Sequence, residues 1–503
     1  MAQAKATDRT AASAGLSRHV AGLLLAGTML AALPALAQEP PAGEPVFADP
    51  LAGQALTAPA DTDTLDAEDE NTRTTATRRT TTAGEDALAD PLTAGANEDT
   101  TSRIARDGLR QNLRENTVDG LRPGGGIDRD EAPGIRLGTF ILKPSLSQGI
   151  GTERNKSGAT STSRTYSQTG FRGSLTSDWS RHQLTIDTDG VYQRNISGSG
   201  EPEPAFRVGA DLRLDLADDT VANLRAGYDF RRESSSDPNA VAGAEAQSGV
   251  HGFTGGASLT RDFGLIRGTA GLDLRREVYG AARLANGTEL SLSDRDNIEG
   301  TLTGRIGYEL SPALIPYLEA SVGRAVYDER RDSLGYARDS RTVGGRVGVE
   351  VDLGEKLRGD LGVGYKHTTF EDSRLAAIGA ATVDGAVMWS PQRGTDLRLG
   401  FATSIEPSTA AGQGGYVSYE TNAELAHELR DNLVARLSSA YTWRDMPTAL
   451  GPDQHIYRVG AGLTWDINRW LALTGDVSYE LTKQARAADT GVTRAGIGLV
   501  LRR

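Results

Sequence analysis

The chain has 503 residues, of which 38% are hydrophobic and 24% are charged, and its formal net charge is −13. It contains no cysteine, which excludes disulfide bonds and thiolate metal or nucleophile sites. No run of about twenty apolar residues occurs beyond the N-terminal region, which excludes membrane-spanning helices, and the acidic balance excludes a basic nucleic-acid-binding surface.

The N-terminus has the three parts of an export signal. A basic lead that includes Lys5 and Arg18 precedes the apolar stretch Val20–Leu33. The small-x-small cleavage site Ala35–Ala37 follows it directly. Fourteen apolar residues are too few for a membrane anchor, so the pattern predicts a cleaved signal peptide over residues 1–37.

The next segment, residues 38–133, is rich in Ala, Thr, Asp and Pro and has few large apolar side chains. Thr72–Thr82 is low in complexity, and Leu65–Asn71 is an acidic run. Residues 38–131 hold 20 acidic and 9 basic residues, so most of the net negative charge lies here. Such a composition buries too little apolar surface to offset the entropy of ordering, which predicts a disordered periplasmic segment.

From residue 134 to the end, runs of about ten residues alternate apolar and polar side chains between turns. In LRLGFATSIE at residues 397–406, Leu397 and Leu399 fall on one side and Arg398 on the other. A period of two places successive side chains on opposite faces of a β-strand. One apolar face repeated around a closed sheet is what a bilayer-spanning barrel requires, because its backbone must form every hydrogen bond without water.

Two kinds of turn alternate along this region. Longer segments include Gly151–Ser163, Glu233–Ser248 and Gly280–Ser293. Short turns on one rim and long loops on the other are typical of outer-membrane barrels. The eight short polar turns are Trp179–His182, Ala217–Thr220, Phe263–Leu265, Ser311–Leu314, Gly354–Lys356, Pro391–Gly394, Arg430–Asn432 and Ile467–Arg469.

Eight short turns with one further strand at each end predict eighteen strands, or sixteen if one hairpin is misassigned. An even number places both termini at the periplasmic rim. We therefore predict an all-β fold for residues 134–503, a transmembrane antiparallel up-and-down β-barrel. A soluble β-sandwich or propeller is the alternative, and it would keep its apolar side chains inward without the two-rim loop pattern.

The charged face of the strands is predicted to face the lumen, because a charge facing lipid at mid-depth costs about 2–4 kcal/mol. Most of these charges are expected to brace the wall as ion pairs, while a subset could set the field at the narrowest point. An inward aromatic ring such as Tyr317 could instead stack on carbohydrate. The lumen-facing candidates are Arg207, Asp211, Arg213, Arg225, Asp229, Arg267, Asp273, Arg346, Glu350, Arg358, Asp360, Arg398, Arg436 and Arg458.

No signature of catalysis or cofactor binding occurs in the sequence. Five histidines follow the leader, and none has another histidine or an acid at metal-ligand spacing. Neither HExxH nor GxSxG is present, although a Ser–His pair could still form between strands. We predict that the protein is not an enzyme and binds neither a cofactor nor a metal ion.

A signal peptide, an acidic segment and a Gly- and Arg-rich barrel that runs to the C-terminus resemble the "putative β-barrel porin 2" group of Gram-negative outer-membrane proteins. The resemblance covers roughly residues 134–503 and implies an eighteen-stranded barrel. For some members it implies a conduit for secreted polysaccharide that works with periplasmic export proteins. The chain departs from the usual outer-membrane sorting signal, because it ends in Leu501–Arg503 and not in an aromatic residue.

The expected function is passive passage of hydrophilic solutes across the cell outer membrane through a water-filled, porin-like channel, which could be dedicated to polysaccharide. A structural or adhesive barrel without open-pore transport is the alternative. The expected partners are outer-membrane lipid and lipopolysaccharide and the outer-membrane assembly machinery. If the channel is dedicated to polysaccharide, periplasmic export proteins are expected as well. No nucleic-acid partner is expected.

Overall fold

The computed structural model describes residues 132–216, 219–234, 237–332, 334–408, 412–447 and 451–503. The predicted signal peptide and all but the last two residues of the predicted acidic segment lie outside these ranges. Those last two residues, Ala132 and Pro133, lead directly into the barrel.

Eighteen long strands make up the described fold, and alternation of apolar and polar side chains marks each of them. They are β1 (Phe140–Ser157), β2 (Thr160–Ser177), β3 (His182–Gly198), β4 (Ala205–Asp215), β5 (Thr220–Arg232), β6 (Gly249–Phe263), β7 (Ile266–Tyr279), β8 (Asn297–Tyr308), β9 (Leu314–Tyr327), β10 (Ser340–Asp352), β11 (Leu357–Phe370), β12 (Ile378–Gln392), β13 (Thr395–Pro407), β14 (Gly415–Arg430), β15 (Leu433–Asp445), β16 (Gln454–Asn468), β17 (Leu471–Gln484) and β18 (Thr490–Arg502).

Each strand pairs antiparallel with its neighbours in the sequence. The sheet closes because β1 pairs with β18, from Ser145 opposite Arg502 to Ser157 opposite Thr490. The predicted all-β, eighteen-strand antiparallel barrel is therefore confirmed. No helix among the described residues has the length and apolar character needed to cross a membrane.

The two rims differ as predicted. All eight predicted short turns join consecutive strands at one rim, which also holds the first residue of β1 and the last residue of β18. The other nine connections lie at the opposite rim, and the longest are residues 233–248, 280–296 and 328–339. We call the first the short-turn rim and the second the long-loop rim.

One predicted loop is wrong. Gly151–Ser163 forms the ends of β1 and β2, which a tight turn at Gly158 and Ala159 joins. Gly158 has a φ of +57°, a conformation that glycine adopts without strain. The composition suggests a loop because it is polar, but a strand that extends past the membrane needs only backbone pairing and no apolar face.

Short elements decorate the barrel. Ile135–Leu137 pairs with the start of β1 at the short-turn rim. At the long-loop rim, Ala244–Ala246, Ala282–Leu284 and Glu289–Leu290 form a three-stranded sheet. A 3₁₀ turn at Ser293–Arg295 follows it. The small sheet therefore joins the connection between β5 and β6 to the connection between β7 and β8.

The two faces of the wall differ in chemistry. On β11, Leu361, Val363 and Tyr365 are 40%, 51% and 55% exposed, whereas Asp360, on the opposite side of the alternation, is 4% exposed. The same division recurs on the other long strands. We call the face with exposed apolar side chains the outer face and the opposite face, which carries most of the strand charges, the inner face.

Candidate permeation pathway

The structure places all fourteen sequence-predicted candidates on the inner face, where each alternates with apolar outer-face neighbours. Exposure varies within the set, from Asp360 and Glu350 at 4% and 6% to the more open Asp273. Most of the set take part in ion pairs. That these side chains line a conducting pathway stays a prediction.

A cluster around Arg305 forms the densest ionic group on the described inner face. The Arg305 Nη1 atom donates to Glu350 Oε1 at 2.7 Å and to Asp360 Oδ2 at 3.0 Å. Its Nη2 atom lies 2.7 Å from Glu319 Oε2, to which Arg346 Nη2 also donates at 2.9 Å. These side chains come from β8, β9, β10 and β11, so one guanidinium ties four adjacent strands together.

The Tyr317 side chain packs against this cluster. Its hydroxyl donates to Asp360 Oδ1 at 2.9 Å, and the Arg305 guanidinium stacks 4.0 Å from the ring centroid. The Arg346 guanidinium lies 5.5 Å from the same centroid. Because the ring is only 4% exposed, little of its surface is free for stacking on carbohydrate.

Two glycines make room for the Tyr317 ring. A Cβ atom at Gly348 would lie 2.4 Å from the ring, and one at Gly362 would lie 2.8 Å from its hydroxyl oxygen. Both glycines occupy inner-face positions beside Tyr317 on β10 and β11. The ring therefore lies flat along the wall across two positions that have no side chain.

Further ion pairs involve other predicted candidates. One pair reaches from β5 to β7, and the others join neighbouring strands or link nearby residues of one strand or hairpin. All combine opposite charges, so the wall carries a mixture of signs. The pairs are Arg225–Asp273 at 2.9 Å, Arg213–Asp215 at 2.8 Å, Arg231–Asp229 at 2.9 Å, Arg267–Asp262 at 2.7 Å, Arg358–Asp352 at 3.4 Å and Arg458–Glu480 at 2.6 Å.

A second cluster holds the seam between the first and last strands. Glu153 on β1 accepts from Arg494 on β18 at 2.9 Å and from Arg164 on β2 at 3.0 Å. Arg164 also donates to Gln193 on β3 at 3.1 Å. Glu203, in the connection from β3 to β4, lies 3.5 Å from Arg494.

The connection from β5 to β6 is the most consequential feature at the long-loop rim. We call residues 233–248 the crossing segment, of which residues 233, 234 and 237–248 are described. It contacts the end of β13 and β15. In the closed wall of eighteen strands, β13 lies eight strands from β5 and β15 lies nine strands from β6. The crossing segment therefore bridges opposite sides of the barrel.

Two contacts fasten its far side. The Asp237 carboxylate lies 3.8 Å from the Arg444 guanidinium on β15. Asn239 Nδ2 donates to the backbone oxygen of Pro407, at the end of β13, at 3.2 Å. The Arg444 side chain is only 5% exposed, so this contact is enclosed.

Other contacts fasten its near side. Glu233 pairs with Arg295, and each of these side chains is 10% exposed. The Gln247 backbone NH donates to Glu201 at 3.1 Å, and Glu201 also pairs with Arg232. Both ends of the crossing segment are thus held, in addition to the small sheet that it forms with the next loop.

The environment of Glu233 perturbs its protonation. Burial raises the pKa of the Glu233 carboxyl from its usual 4.5 to about 7, although Arg295 acts in the opposite direction. Glu233 lies just beyond the last residue of β5, at the base of the crossing segment. The fastening of this base therefore includes a group that changes its charge near neutral pH.

Sequence reasoning missed Arg305 and the contacts of the crossing segment. Arg305 alternates with the exposed Ile306 and Leu302, so its strand pattern could have identified it. The pair between Asp237 and Arg444 has no local signal, because 207 positions separate them and the contact depends on barrel closure.

Comparison with solved structures gives several barrels of low sequence identity. They include the outer membrane protein OpdK from Pseudomonas aeruginosa (11% identity, TM-score 0.36), whose match covers 72% of this chain and 99% of that one. OpdQ from the same species has 9% identity and a TM-score of 0.36, and OccAB4 from Acinetobacter baumannii has 12% and 0.36. Each of these two matches covers 72% of this chain and 98% of the other.

None of the curated proteins matches the sequence significantly. The model of the family described as "Putative beta-barrel porin 2" matches residues 130–503, which is well over half of the chain. This match covers the whole closed barrel, from the first strand to the last. The chain therefore belongs to this family of porin-like outer-membrane barrels.

Proposed function

We propose that the protein is a passive channel for small hydrophilic solutes, narrowed at its long-loop rim by the crossing segment. The inner face supports this proposal, since ion pairs and other polar side chains cover it and an unplugged barrel of this strand number holds water. The contacts of the crossing segment with Arg444 and Pro407 on the far side of the barrel support the proposal that this segment narrows the channel.

A conduit for secreted polysaccharide is the more specific function that the family resemblance implies. No contact among the described residues favours it. Tyr317, one of the inward aromatic side chains and the one considered above for stacking on sugar, is covered by Arg305 and tied to Asp360. Our proposal therefore stays with small solutes whose size the crossing segment limits.

The decisive experiment shortens the crossing segment. Glu233 NH already donates to Ser248 O at 2.9 Å, so the two ends are at hairpin distance. Replacing residues 234–247 by Asn-Gly would close the hairpin with a two-residue turn that suits paired strands. Purified full-length protein and this variant would be compared in planar lipid bilayers.

Stable conductance steps from the full-length protein, and larger steps from the shortened variant, are the expected results. Liposome swelling with sugars of increasing size should show a higher size limit for the variant. Steps from the variant alone would mean that the native barrel is plugged, which contradicts the proposal. Silence from both proteins would favour the structural or adhesive barrel.

We also propose that the chain reaches the outer membrane through cleavage after Ala37 and insertion by the assembly machinery. The basic lead, the apolar core and the small-x-small site support this route. N-terminal sequencing of the protein from purified outer membranes should begin at Gln38. An uncleaved N-terminus would contradict it.

A further inference from the structure

Charges on the outer face show a bias near the long-loop rim. Outer-face positions on the last residues before that rim carry several basic side chains, and most of these side chains are exposed. An outward charge in the acyl region of the membrane is costly. Basic side chains beyond that region, near the rim, can instead contact anionic groups of the lipid headgroups. The basic positions are Arg154, Arg194, Arg276, Arg324, Arg341 and Lys483.

Arg324 and Arg341 stand out among them. They lie directly opposite each other, Arg324 on β9 and Arg341 on β10, and both are exposed. Side chains directly opposite in an antiparallel pair have Cβ atoms about 5 Å apart, and like charges there repel. Among the described residues, neither guanidinium has an ion pair or a hydrogen bond.

Arg276 shows the contrasting arrangement on the same face. Its guanidinium donates to both carboxylate oxygens of Asp328, at 2.6 and 2.5 Å. The chain therefore supplies an acid to one outward arginine and, within its described residues, none to the adjacent pair. Two exposed cations held side by side create a local positive potential, which favours the binding of an anion from outside the protein.

The depth of this pair indicates where the anion lies. Tyr365 on β11 is 55% exposed on the outer face, and its partner is Gly345 on β10. Aromatic side chains in such positions mark the membrane–water interface. Arg341 lies four residues farther towards the long-loop rim than Gly345, so the two arginines lie at headgroup level.

We propose that Arg324 and Arg341 together bind one phosphate group of a phosphorylated glycolipid in the outer leaflet. The long-loop rim is the exterior rim of such barrels, so the pair faces that leaflet. A phosphate carries up to two negative charges and three acceptor oxygens, which match two guanidinium groups. The acyl chains of the lipid would extend from there along the apolar outer face.

The test uses full-length protein in detergent micelles. Lipid A with its phosphates would be titrated against the native protein and an Arg324→Gln, Arg341→Gln double variant, with binding followed by native mass spectrometry. Arg261→Gln is the matched control, because Arg261 is an exposed outer-face arginine near the short-turn rim. Dephosphorylated lipid A with the same acyl chains and inorganic phosphate alone are the two further ligands.

We expect the double variant to bind lipid A about tenfold more weakly, as for the loss of a charged hydrogen-bonded contact. The control variant should bind like the native protein, and dephosphorylated lipid A should bind weakly to all three. Equal binding of lipid A to the native protein and the double variant would overturn the proposal. Tight binding of inorganic phosphate would also overturn it, because the site would then take a free anion.

Urea unfolding of the lipid-free protein distinguishes weaker lipid binding from a folding defect in the variant. Removal of one arginine relieves repulsion across the strand pair, so Arg324→Gln should raise the urea midpoint of the lipid-free protein slightly. Added lipid A should then raise the midpoint of the native protein more than that of the variant. A lower midpoint for the lipid-free variant would contradict the proposal, since the two arginines would then stabilise the wall by themselves.

Discussion

The Asp237 carboxylate lies 3.8 Å from the Arg444 guanidinium, although Asp237 lies in the connection from β5 to β6 and Arg444 lies on β15, on the opposite side of the barrel. With the hydrogen bond from Asn239 to Pro407, this contact fixes the far side of the crossing segment. The near side is fixed by Glu233 and its neighbours. The bridge is therefore a fastened part of the wall and not a free surface loop.

Loss of the Arg444 charge should loosen the bridge. An ion pair of this kind contributes about 1 kcal/mol, so Arg444→Gln should lower the population of the fastened state about fivefold. The expected result in planar bilayers is a noisier trace with a higher mean conductance. Arg358→Gln is the control, since Arg358 pairs locally with Asp352 near the short-turn rim. Equal changes in both variants would contradict this assignment.

The Arg305 cluster should contribute to stability more than any exposed pair does. Arg305→Gln leaves Glu319, Glu350 and Asp360 close together without their shared cation. Removal of one partner from such an enclosed group costs about 3 kcal/mol in free energy of unfolding. Urea unfolding in micelles, followed by tryptophan fluorescence, measures this loss. The Arg358→Gln control should lose about 0.5 kcal/mol, because its side chain is more exposed.

The glycines beside Tyr317 give a matched pair of substitutions. Gly348→Ala would place a Cβ atom 2.4 Å from the ring and 2.6 Å from the Leu361 backbone oxygen. Overpacking of this kind costs about 1–3 kcal/mol. At Gly345, three residues earlier on β10, the nearest atom to a new Cβ is 4.0 Å away. Gly345→Ala should therefore be neutral in the same urea measurement, and a similar loss in both would refute the packing argument.

Stability should depend on pH through Glu233. Burial raises the pKa of this carboxyl to about 7, so the folded protein holds the proton more tightly than the unfolded chain does. The resulting stabilisation is complete below the unfolded value of about 4.5 and is lost as the pH rises towards 7. The urea midpoint of the Glu233→Gln variant should therefore fall less between pH 5 and pH 8 than that of the native protein. At pH 8 the variant should be more stable than the native protein.

Glu355→Gln is the control for that experiment. Glu355 is an exposed acid in the short turn between β10 and β11. Its replacement should leave the pH dependence of the urea midpoint as it is in the native protein. An unchanged pH dependence in Glu233→Gln would show that other groups cause it.

Local patterns were sufficient to predict the strands and their faces. Period-two alternation and turn residues identified all eight turns of the short-turn rim, because both are properties of neighbouring residues. The same reasoning failed at Gly151–Ser163, where polar strands continue beyond the membrane and have no apolar face to reveal them. It also placed all fourteen charged candidates on one face of the wall.

Contacts between distant strands could not be predicted in this way. Arg305 reaches Asp360 over two intervening strands, and that distance depends on strand stagger and twist as well as on order. The composition of the crossing segment is that of an ordinary loop. That it reaches the opposite wall depends on closure of the barrel and has no signal in its own sequence. Single-sequence reasoning identifies which residues share a face but not which of them meet.

The pairing of β1 with β18 has a consequence for damage to the chain. Because Ser145 lies opposite Arg502, loss of the last dozen residues would open the cylinder and leave two long strands with unsatisfied backbone groups in lipid. Such a chain could not relax into a smaller antiparallel ring, since β17 runs in the same direction as β1 and could pair with it only in parallel. Proteolytic trimming at the carboxyl end should thus abolish membrane insertion altogether and not merely weaken it.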